Sequence, residues 1–344
     1  MKTVKIIPVL MAAMLVSACN VGGSKVKVSE PKFAKENGSE MTSDDFLKEF
    51  VTIDGYSVKI DGPAVKDSEF FKEDAKIGSK EVKMKTSSAE KATLTRDGKE
   101  ISKQEEAYVV DGTMQADSNN KVIKSVSTRK SSESFKNLNG SGSGSSSEKS
   151  TAYQQEGKVD DKNGVISANV EEKTYRLSSE FDTEEPRTYT SDTWFNLTMQ
   201  SLGSMIGEGF IYEIVLAKMQ SVELKGYKFY KNDKVYTITY SNEETETLKT
   251  QEYDPATSSY KEVEYATRTT KVEAKSQLDV TEGKWTYKTS TVEEVETKYL
   301  KDKGDYLSND VRASKEEDYA DYSVADKKVS VKAVDLKDYK VLKA

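Results

Sequence analysis

The chain has 344 residues, a formal net charge of −7, and 35% apolar against 32% charged residues. An acidic chain lacks the clustered Lys and Arg that grip phosphate backbones, which excludes non-specific binding to nucleic acid. The sequence contains no histidine and one cysteine, which excludes nucleophile–histidine catalysis and zinc sites built from histidine or paired cysteines.

The start of the chain carries a targeting pattern. Lys2 and Lys5 precede an apolar run from Ile6 to Val16. A basic start, a short apolar stretch and a small-residue junction are typical of a secretory signal peptide, which we predict over residues 1–18. The run is shorter than the roughly 20 apolar residues that a membrane-spanning helix needs.

The junction reads Val16-Ser17-Ala18-Cys19. It resembles the lipobox of bacterial lipoproteins, in which an aliphatic residue and two small residues precede an invariant cysteine. The resemblance covers residues 1–19 and implies that Cys19 carries acyl chains, such as palmitate, which make the membrane the first predicted partner. Two or three acyl chains suffice for stable anchoring. Because Asn20, not Asp, follows the cysteine, the enterobacterial sorting rule implies the outer membrane of the cell envelope, facing the periplasm or the surface.

The next segments are predicted from composition and from helix and turn signals. Residues 19–40 include Val21-Gly22-Gly23-Ser24 and are predicted as a lipidated flexible stalk. Residues 41–185 are predicted as a β-rich region that opens with a short helix, because Thr42 can cap the apolar pattern of Phe46 and Phe50. Within that region, Asp97-Gly98 and Asn163-Gly164 predict hairpin turns, and the Gly/Ser-rich residues 139–147 predict a mobile loop or linker.

Residues 186–344 are predicted as a central helix followed by an antiparallel meander, either as a separate domain or in one domain with residues 41–185. Residues 190–222 are the most apolar stretch of the mature chain and predict one or two buried helices. Tyr227 to Tyr240 predicts a hairpin with its turn at Asn232-Asp233, which would place Phe229 opposite Tyr236. The acidic residues 309–322 are predicted to be helical.

These elements predict a β-rich α+β fold. A curved, half-barrel-like antiparallel sheet, either continuous or divided into two sheets near residues 139–147, would pack on the buried central helix. A sheet with one face in water accommodates the low apolar content better than a parallel sheet covered on both faces.

The aromatic residues of the second half are the remaining candidates for a binding site. They either form the core between sheet and helix or line an apolar ligand cavity. The candidates are Trp194, Phe210, Tyr227, Phe229, Tyr236, Tyr240, Trp285 and Tyr287.

Two functions remain open from the sequence. The first is a non-enzymatic, membrane-anchored envelope protein that binds an unidentified protein or lipid partner or has a structural role. The alternative is a carrier of lipid or acyl chains in a cavity between sheet and helix. Neither requires a catalytic residue, a cofactor, a metal or nucleic acid, and none is predicted.

Overall fold

The described part of the protein consists mainly of long antiparallel β-strands. A computed structural model describes residues 26–28, 32–54, 57–60, 81–116, 122–138, 143–159, 162–177, 180–191, 210–211, 214–218, 220, 222–281, 284–300, 308–325 and 340–341. The N-terminal elements are β1 (Ser39–Met41), α1 (Ser43–Lys48), β2 (Val51–Asp54) and β3 (Ser57–Ile60).

Six long strands follow, then a helical segment, then the strands of the second half. The six are β4 (Glu81–Arg96), β5 (Lys99–Ala116), β6 (Val122–Asn137), β7 (Ser143–Val159), β8 (Lys162–Leu177) and β9 (Glu180–Ser191). Residues 210–211 and 214–218 are helical and are called the second helical segment. The last strands are β10 (Tyr227–Asn232), β11 (Val235–Asp254), β12 (Ser259–Thr281), β13 (Lys284–Tyr299), β14 (Asn309–Ala325) and β15 (Lys340–Val341).

One 13-stranded sheet joins both halves of the chain, in the order β1-β10-β11-β12-β13-β14-β4-β5-β6-β7-β8-β9-β15. Neighbouring strands are antiparallel except β15, which runs parallel to β9. Strands β2 and β3 form a separate two-stranded sheet. The junction between the halves is the pairing of β14 with β4, so the regions 41–185 and 186–344 share a single hydrogen-bonded ladder.

The predicted α+β fold with a sheet packed on a central helix is wrong. The described helical residues are few, and the sheet extends many strands beyond them. The predicted helix over 190–222 begins inside β9, while its residues 192–209 lie outside the described part. Residues 309–322, predicted as a helix, lie in β14. The strand forms because β13 and β4 pair with the backbone of β14 along its length.

The predicted break between two sheets is also wrong. Ser143 to Ser147 belong to β7 and pair with Ser132 to Lys136 of β6, so this part of the Gly/Ser-rich stretch continues the ladder. Residues 139–142 lie outside the described part. The partner strand, not the composition of the stretch, decides its structure, because backbone amides are satisfied across the sheet.

The turns test the sequence signals directly. Asp97 and Gly98 have φ values of 51° and 75° and connect β4 to β5, which confirms the predicted turn, since a type I′ turn needs two positive φ angles. The other two turns differ. Strands β7 and β8 are joined at 160–161 instead of Asn163-Gly164, because Val159 pairs with Lys162.

The hairpin of β10 and β11 is present with a shifted register. Its two-residue turn is Asp233-Lys234, so Phe229 lies opposite Ile238 instead of Tyr236. The positive φ of Asp233, 52°, marks the start of the turn. Asp tolerates this conformation better than most residues, which explains a turn one residue later than predicted.

The sheet has two faces, set by the alternation of side chains. We call the first the helix face; it carries Tyr236, Leu278 and Tyr287, against which α1 and the second helical segment pack. Its core residues are almost fully buried: Phe46, Phe50, Phe210, Ile211, Ile214, Phe229, Tyr236, Leu278 and Tyr287. The opposite side, the arm face, carries Thr237 and Gln277 and is crossed by the N-terminal residues.

Helix α1 is fixed locally by its N-cap. The Thr42 hydroxyl accepts a hydrogen bond from the Asp45 amide at 3.1 Å, as the predicted cap requires. Asp44 then receives the ammonium of Lys218 at 2.7 Å, which ties α1 to the second helical segment.

Candidate functional site

An extended N-terminal arm, residues 26–28 and 32–38, lies across the arm face. The Val26 amide donates to the Ser132 hydroxyl of β6 at 2.8 Å, and the Ala34 amide donates to Oε1 of Gln277 in β12 at 3.0 Å. Five inter-strand steps of about 4.8 Å, or about 24 Å, separate these two strands. The arm therefore runs across the strands as a strap.

Gln277 is the most deeply buried contact of the arm, at 1% exposed. Its amide nitrogen donates to the Thr237 hydroxyl at 3.1 Å, and its oxygen accepts from the arm. Because a buried amide that lacks partners is costly, the arm and β11 together satisfy this side chain.

Lysines hold the rest of the arm. The Lys275 ammonium donates to Oδ1 of Asn37 at 2.7 Å and lies 5.3 Å from the ring centre of Phe33. Burial lowers the pKa of Lys275, because desolvation disfavours the charged form. Lys288 donates to the backbone oxygen of Lys32 at 2.7 Å.

Gly38 completes the arm where it meets β10. Its φ is +96°, and a Cβ there would overlap the backbone oxygen of Lys231. Glycine is therefore required for this close approach, after which β1 pairs with β10. A large part of the segment predicted as a stalk thus lies on the sheet.

Cys19 lies outside the described residues, seven positions before Val26. Seven residues span at most about 25 Å when extended. The predicted lipid is therefore confined to that distance from the Val26 contact with Ser132.

Four of the predicted aromatic residues meet in one cluster on the helix face: Phe210, Phe229, Tyr236 and Tyr287. Phe46 and Phe50 of the α1 region complete it. Ring centres are 5.2 Å apart for Phe46 and Phe229, 4.8 Å for Phe50 and Tyr236, and 5.9 Å for Phe210 and Tyr287. These separations are typical of packed aromatic pairs. Burial raises the pKa of Tyr287 well above its usual range.

The other four candidates are not in this cluster. Tyr227 and Tyr240 are direct partners in the β10–β11 ladder, with ring centres 4.5 Å apart. Trp285 lies in β13 opposite Val280, and Trp194 lies outside the described residues.

Surface hollows are found away from the aromatic cluster. One of about 360 Å³ is lined by Lys83, Met84, Lys85, Asp111, Gly112, Thr113, Ser127, Thr128, Asp321 and Ser323. Another of about 660 Å³ lies where the arm meets β10. A ligand cavity lined by the aromatic residues remains a prediction.

The helix face also carries a row of four glutamates, which we call the acidic row: Glu316, Glu90, Glu106 and Glu133. They are consecutive partners across β14, β4, β5 and β6. Burial, together with Asp318 and Glu90, raises the pKa of Glu316 to about 7. Burial and Glu106 raise the pKa of Glu133.

Arg312 supplies compensating charge to the acidic row. Its guanidinium lies 3.4 Å from Glu90 and 3.7 Å from Glu293. Asp318, two residues after Glu316 in β14, also has a raised pKa, which is caused by burial. The Glu316 side chain is exposed. It therefore lies on an open surface, where neighbouring protein atoms remove only part of its contact with water.

Neither metal binding nor a membrane-spanning helix is evident in the described part of the chain. Its His, Cys, Asp and Glu residues include no group of three or more arranged to hold a metal ion. None of the described helices combines the length and the apolar character that a membrane span requires.

Comparison with known proteins gives no family. No family model and no curated protein matches the chain. Among solved structures, the translocator domain of the autotransporter NalP from Neisseria meningitidis matches at 7% identity and a TM-score of 0.16, over 70% of this chain and 88% of that one. A Pseudomonas aeruginosa FadL homologue matches at 8% identity and a TM-score of 0.14, over 74% and 93%. TM-scores this low do not indicate a shared fold.

Sequence reasoning missed the arm and the acidic row. Phe33, a lone aromatic residue in a polar segment, was the available signal for the arm. The acidic row had no local signal, because Glu90 and Glu316 become neighbours only through the register of β14 and β4.

Proposed function

We propose that the chain is a bacterial lipoprotein of the cell envelope, held at a membrane by acyl chains on Cys19, whose sheet has a non-enzymatic binding or structural role. The observation that carries the proposal is the sequence Val16-Ser17-Ala18-Cys19 after a basic and apolar leader. Outer-membrane delivery, implied by Asn20, is part of the proposal.

The arm supports an anchored body. Hydrogen bonds from Val26 and Ala34 and to Asn37 secure the arm at one point on β6 and two points on β12. A lipid attached just before a segment that is bound in this way holds the sheet near the membrane instead of on a long tether.

The proposal assigns no catalysis to the acidic row. A pKa near neutrality, such as that of Glu316, is a feature of some catalytic acids. Binding and active sites are commonly concave pockets that bury most of their ligand. Glu316 is exposed, and neither hollow described above includes it.

The test is acylation of Cys19. Cells that express the full chain are given a fatty acid with a clickable tag, and Cys19→Ser is compared with Ser17→Ala, which keeps a small residue in the motif. We expect label and a shortened chain in the parent and in Ser17→Ala, and neither in Cys19→Ser. Label that persists in Cys19→Ser would refute the proposal.

Localisation is tested with Asn20→Asp. We expect the parent protein in the outer-membrane fraction and the variant in the inner-membrane fraction of a host that follows the sorting rule. The carrier alternative predicts a bound lipid in native mass spectra of detergent-free Cys19→Ser protein, whereas our proposal predicts none.

A further inference from the structure

The hairpin of β11 and β12 ends in an exposed pair of tyrosines, which we call the tyrosine tip. Tyr253 and Tyr260 are direct partners in the ladder. Their side chains are 52% and 69% exposed, and their ring centres are 5.4 Å apart at an interplanar angle of 63°. Two large aromatic side chains are thus held side by side in water, next to the turn at residues 255–258.

The tyrosine tip projects beyond the neighbouring strands. The described pairing of β12 with β13 begins at Ala266, and that of β11 with β10 ends at Tyr240. Between Lys249 and Glu264, the described residues of the hairpin pair only with each other. Six residue pairs at about 3.4 Å each make this projection about 20 Å long.

Alternation along the strands places the tyrosine tip on the arm face. Tyr253 is sixteen residues after Thr237, an even number, so both side chains leave β11 on the same side. The register shift after Leu248 adds one extra residue, Tyr265, to β12. That extra residue keeps Tyr260 opposite Tyr253 and on the same side.

The segment that leads back to the predicted lipid on Cys19 also starts from the arm face. Val26 contacts Ser132 on the arm face, and the seven residues back to Cys19 reach at most about 25 Å. The arm face is thus within reach of a bilayer that holds the lipid, and the tyrosine tip points to the same side.

We propose that Tyr253 and Tyr260 form a second membrane contact, inserted at the headgroup level of the bilayer that holds Cys19. The inference rests on the proposed function. Tyrosine favours this depth, because its ring is apolar and its hydroxyl meets water. Because the acyl chains on Cys19 already suffice for anchoring, this contact sets the orientation of the sheet at the bilayer.

The geometry and charges of the tip favour a lipid surface over a sugar. Two rings inclined at 63° do not form the flat platform on which a sugar ring stacks, but both can enter a soft interface. Lys249 lies 3.0 Å from Glu262, and Lys261 lies 4.0 Å from Asp254. These pairs reduce the repulsion that bare carboxylates would meet at anionic headgroups.

The experiment uses the full mature protein, acylated at Cys19, in phosphatidylcholine vesicles that contain headgroup-spin-labelled lipid. A fluorophore is placed on Ala256→Cys beside the tyrosine tip or on Lys234→Cys at the other end of β11. Acylation blocks Cys19 from the label. We expect the probe at 256 to lose most of its fluorescence and the probe at 234 to keep most of its own.

Variants of the hairpin separate tyrosine insertion from simple proximity. Tyr253→Ser with Tyr260→Ser, in the Ala256→Cys background, should restore fluorescence to the level at 234. Thr247→Ser with Gln251→Ser, exposed residues of the same face, should leave the quenching unchanged. Both pairs are exposed, so the thermal unfolding temperature should change little, which shows that the fold is retained.

The outcomes distinguish this inference from the proposed function. If the protein is acylated but the probe at 256 is no more quenched than that at 234, the tyrosine contact is wrong and the lipoprotein assignment stands. Shielding of the tip by added cell-wall polysaccharide or by a protein, with no quenching by lipid, also overturns it. If mass spectrometry finds no acyl chain on Cys19, both proposals fail.

Discussion

Glu90 and Glu316 stand directly opposite each other at the junction of β4 and β14, the pairing that joins the two halves of the chain. Like charges directly opposite in a ladder are destabilising. The repulsion extends along the acidic row through Glu106 to Glu133. The groups that face Glu316 are Glu90, Asp318 and, through Glu90, the compensating Arg312.

Stability should therefore fall as the pH rises from about 5 to 8. The pKa of Glu316 is about 7 in the folded protein, above the value near 4.3 of an unfolded glutamate. Between these values the folded state binds more protons, so the free energy of unfolding decreases with rising pH and levels off above the folded pKa. Glu133 and Asp318 shift in the same direction. Urea unfolding at several pH values measures this slope.

Glu316→Gln should remove part of that slope. We expect a gain at pH 8 of less than about 1 kcal/mol, because water screens an exposed charge, and no gain at pH 4. Glu244→Gln on β11, whose partner in the ladder is Thr270, is the control and should have little effect. An equal effect of both substitutions would show that net charge, not the acidic row, sets the slope.

Phe46 is predicted to be essential to the aromatic cluster. Its side chain is fully buried and contacts the rings of Phe50, Phe210, Phe229 and Tyr236. Phe46→Ala should lower the free energy of unfolding by about 3–5 kcal/mol, since it removes a large apolar group and leaves a cavity. Phe135→Ala, at a phenylalanine that is 43% exposed, should cost much less. Similar losses at the two sites would argue against the cluster as the core.

Two glycines with positive φ should differ in their response to alanine. Gly98 has φ 75° and open space where a Cβ would lie, whereas Gly226 has φ 84° and a Cβ there would overlap the Ser241 carbonyl oxygen. Gly98→Ala should cost about 1 kcal/mol from backbone strain alone. Gly226→Ala adds a steric clash and should cost about 2–3 kcal/mol. Thermal unfolding of both variants shows which one is less stable. A larger loss of stability in Gly98→Ala than in Gly226→Ala would contradict the described approach of β10 to β11.

The arm should detach more easily when its buried partner is removed. Gln277→Leu abolishes the acceptor for the Ala34 amide and the donor to Thr237. The loss of about 1 kcal/mol per hydrogen bond should speed amide exchange of residues 32–37 about fivefold. Trypsin should also cut faster at Lys32 and Lys35. Gln251→Leu, an exposed residue on the same face, should leave both rates unchanged, and an unchanged arm in Gln277→Leu would contradict the strap.

Local signals predicted the features that depend on few residues. The Thr42 cap and the Asp97-Gly98 turn are present because each is decided by its own backbone conformation. Phe210 and Ile214 are buried in a helical segment, as their apolar context suggested. The wrong predictions concern features that need a partner: the strand identity of 309–322 and of 143–147 depends on neighbours that lie elsewhere in the sequence.

The candidate site likewise has features that local sequence predicts and features that depend on distant partners. Phe229 and Tyr236 were recognised as aromatic residues on one face, but their register was shifted by one turn residue. The acidic row and the arm depend on contacts between residues up to 256 positions apart. Composition and periodicity do not encode such distances, so neither feature was predicted.

The pairing of β4 with β14 has a consequence for how the chain reaches its folded state. Their end residues Arg96 and Asp310 are 214 positions apart, and synthesis proceeds from the N-terminus. One edge of β4 therefore stays unpaired until almost the whole chain has been synthesised. Closing so long a loop also slows folding. An unpaired edge is a template for aggregation, which charged side chains discourage. The high density of Lys and Glu in the chain therefore also keeps the unpaired edge of β4 soluble until β14 has been synthesised and pairs with it.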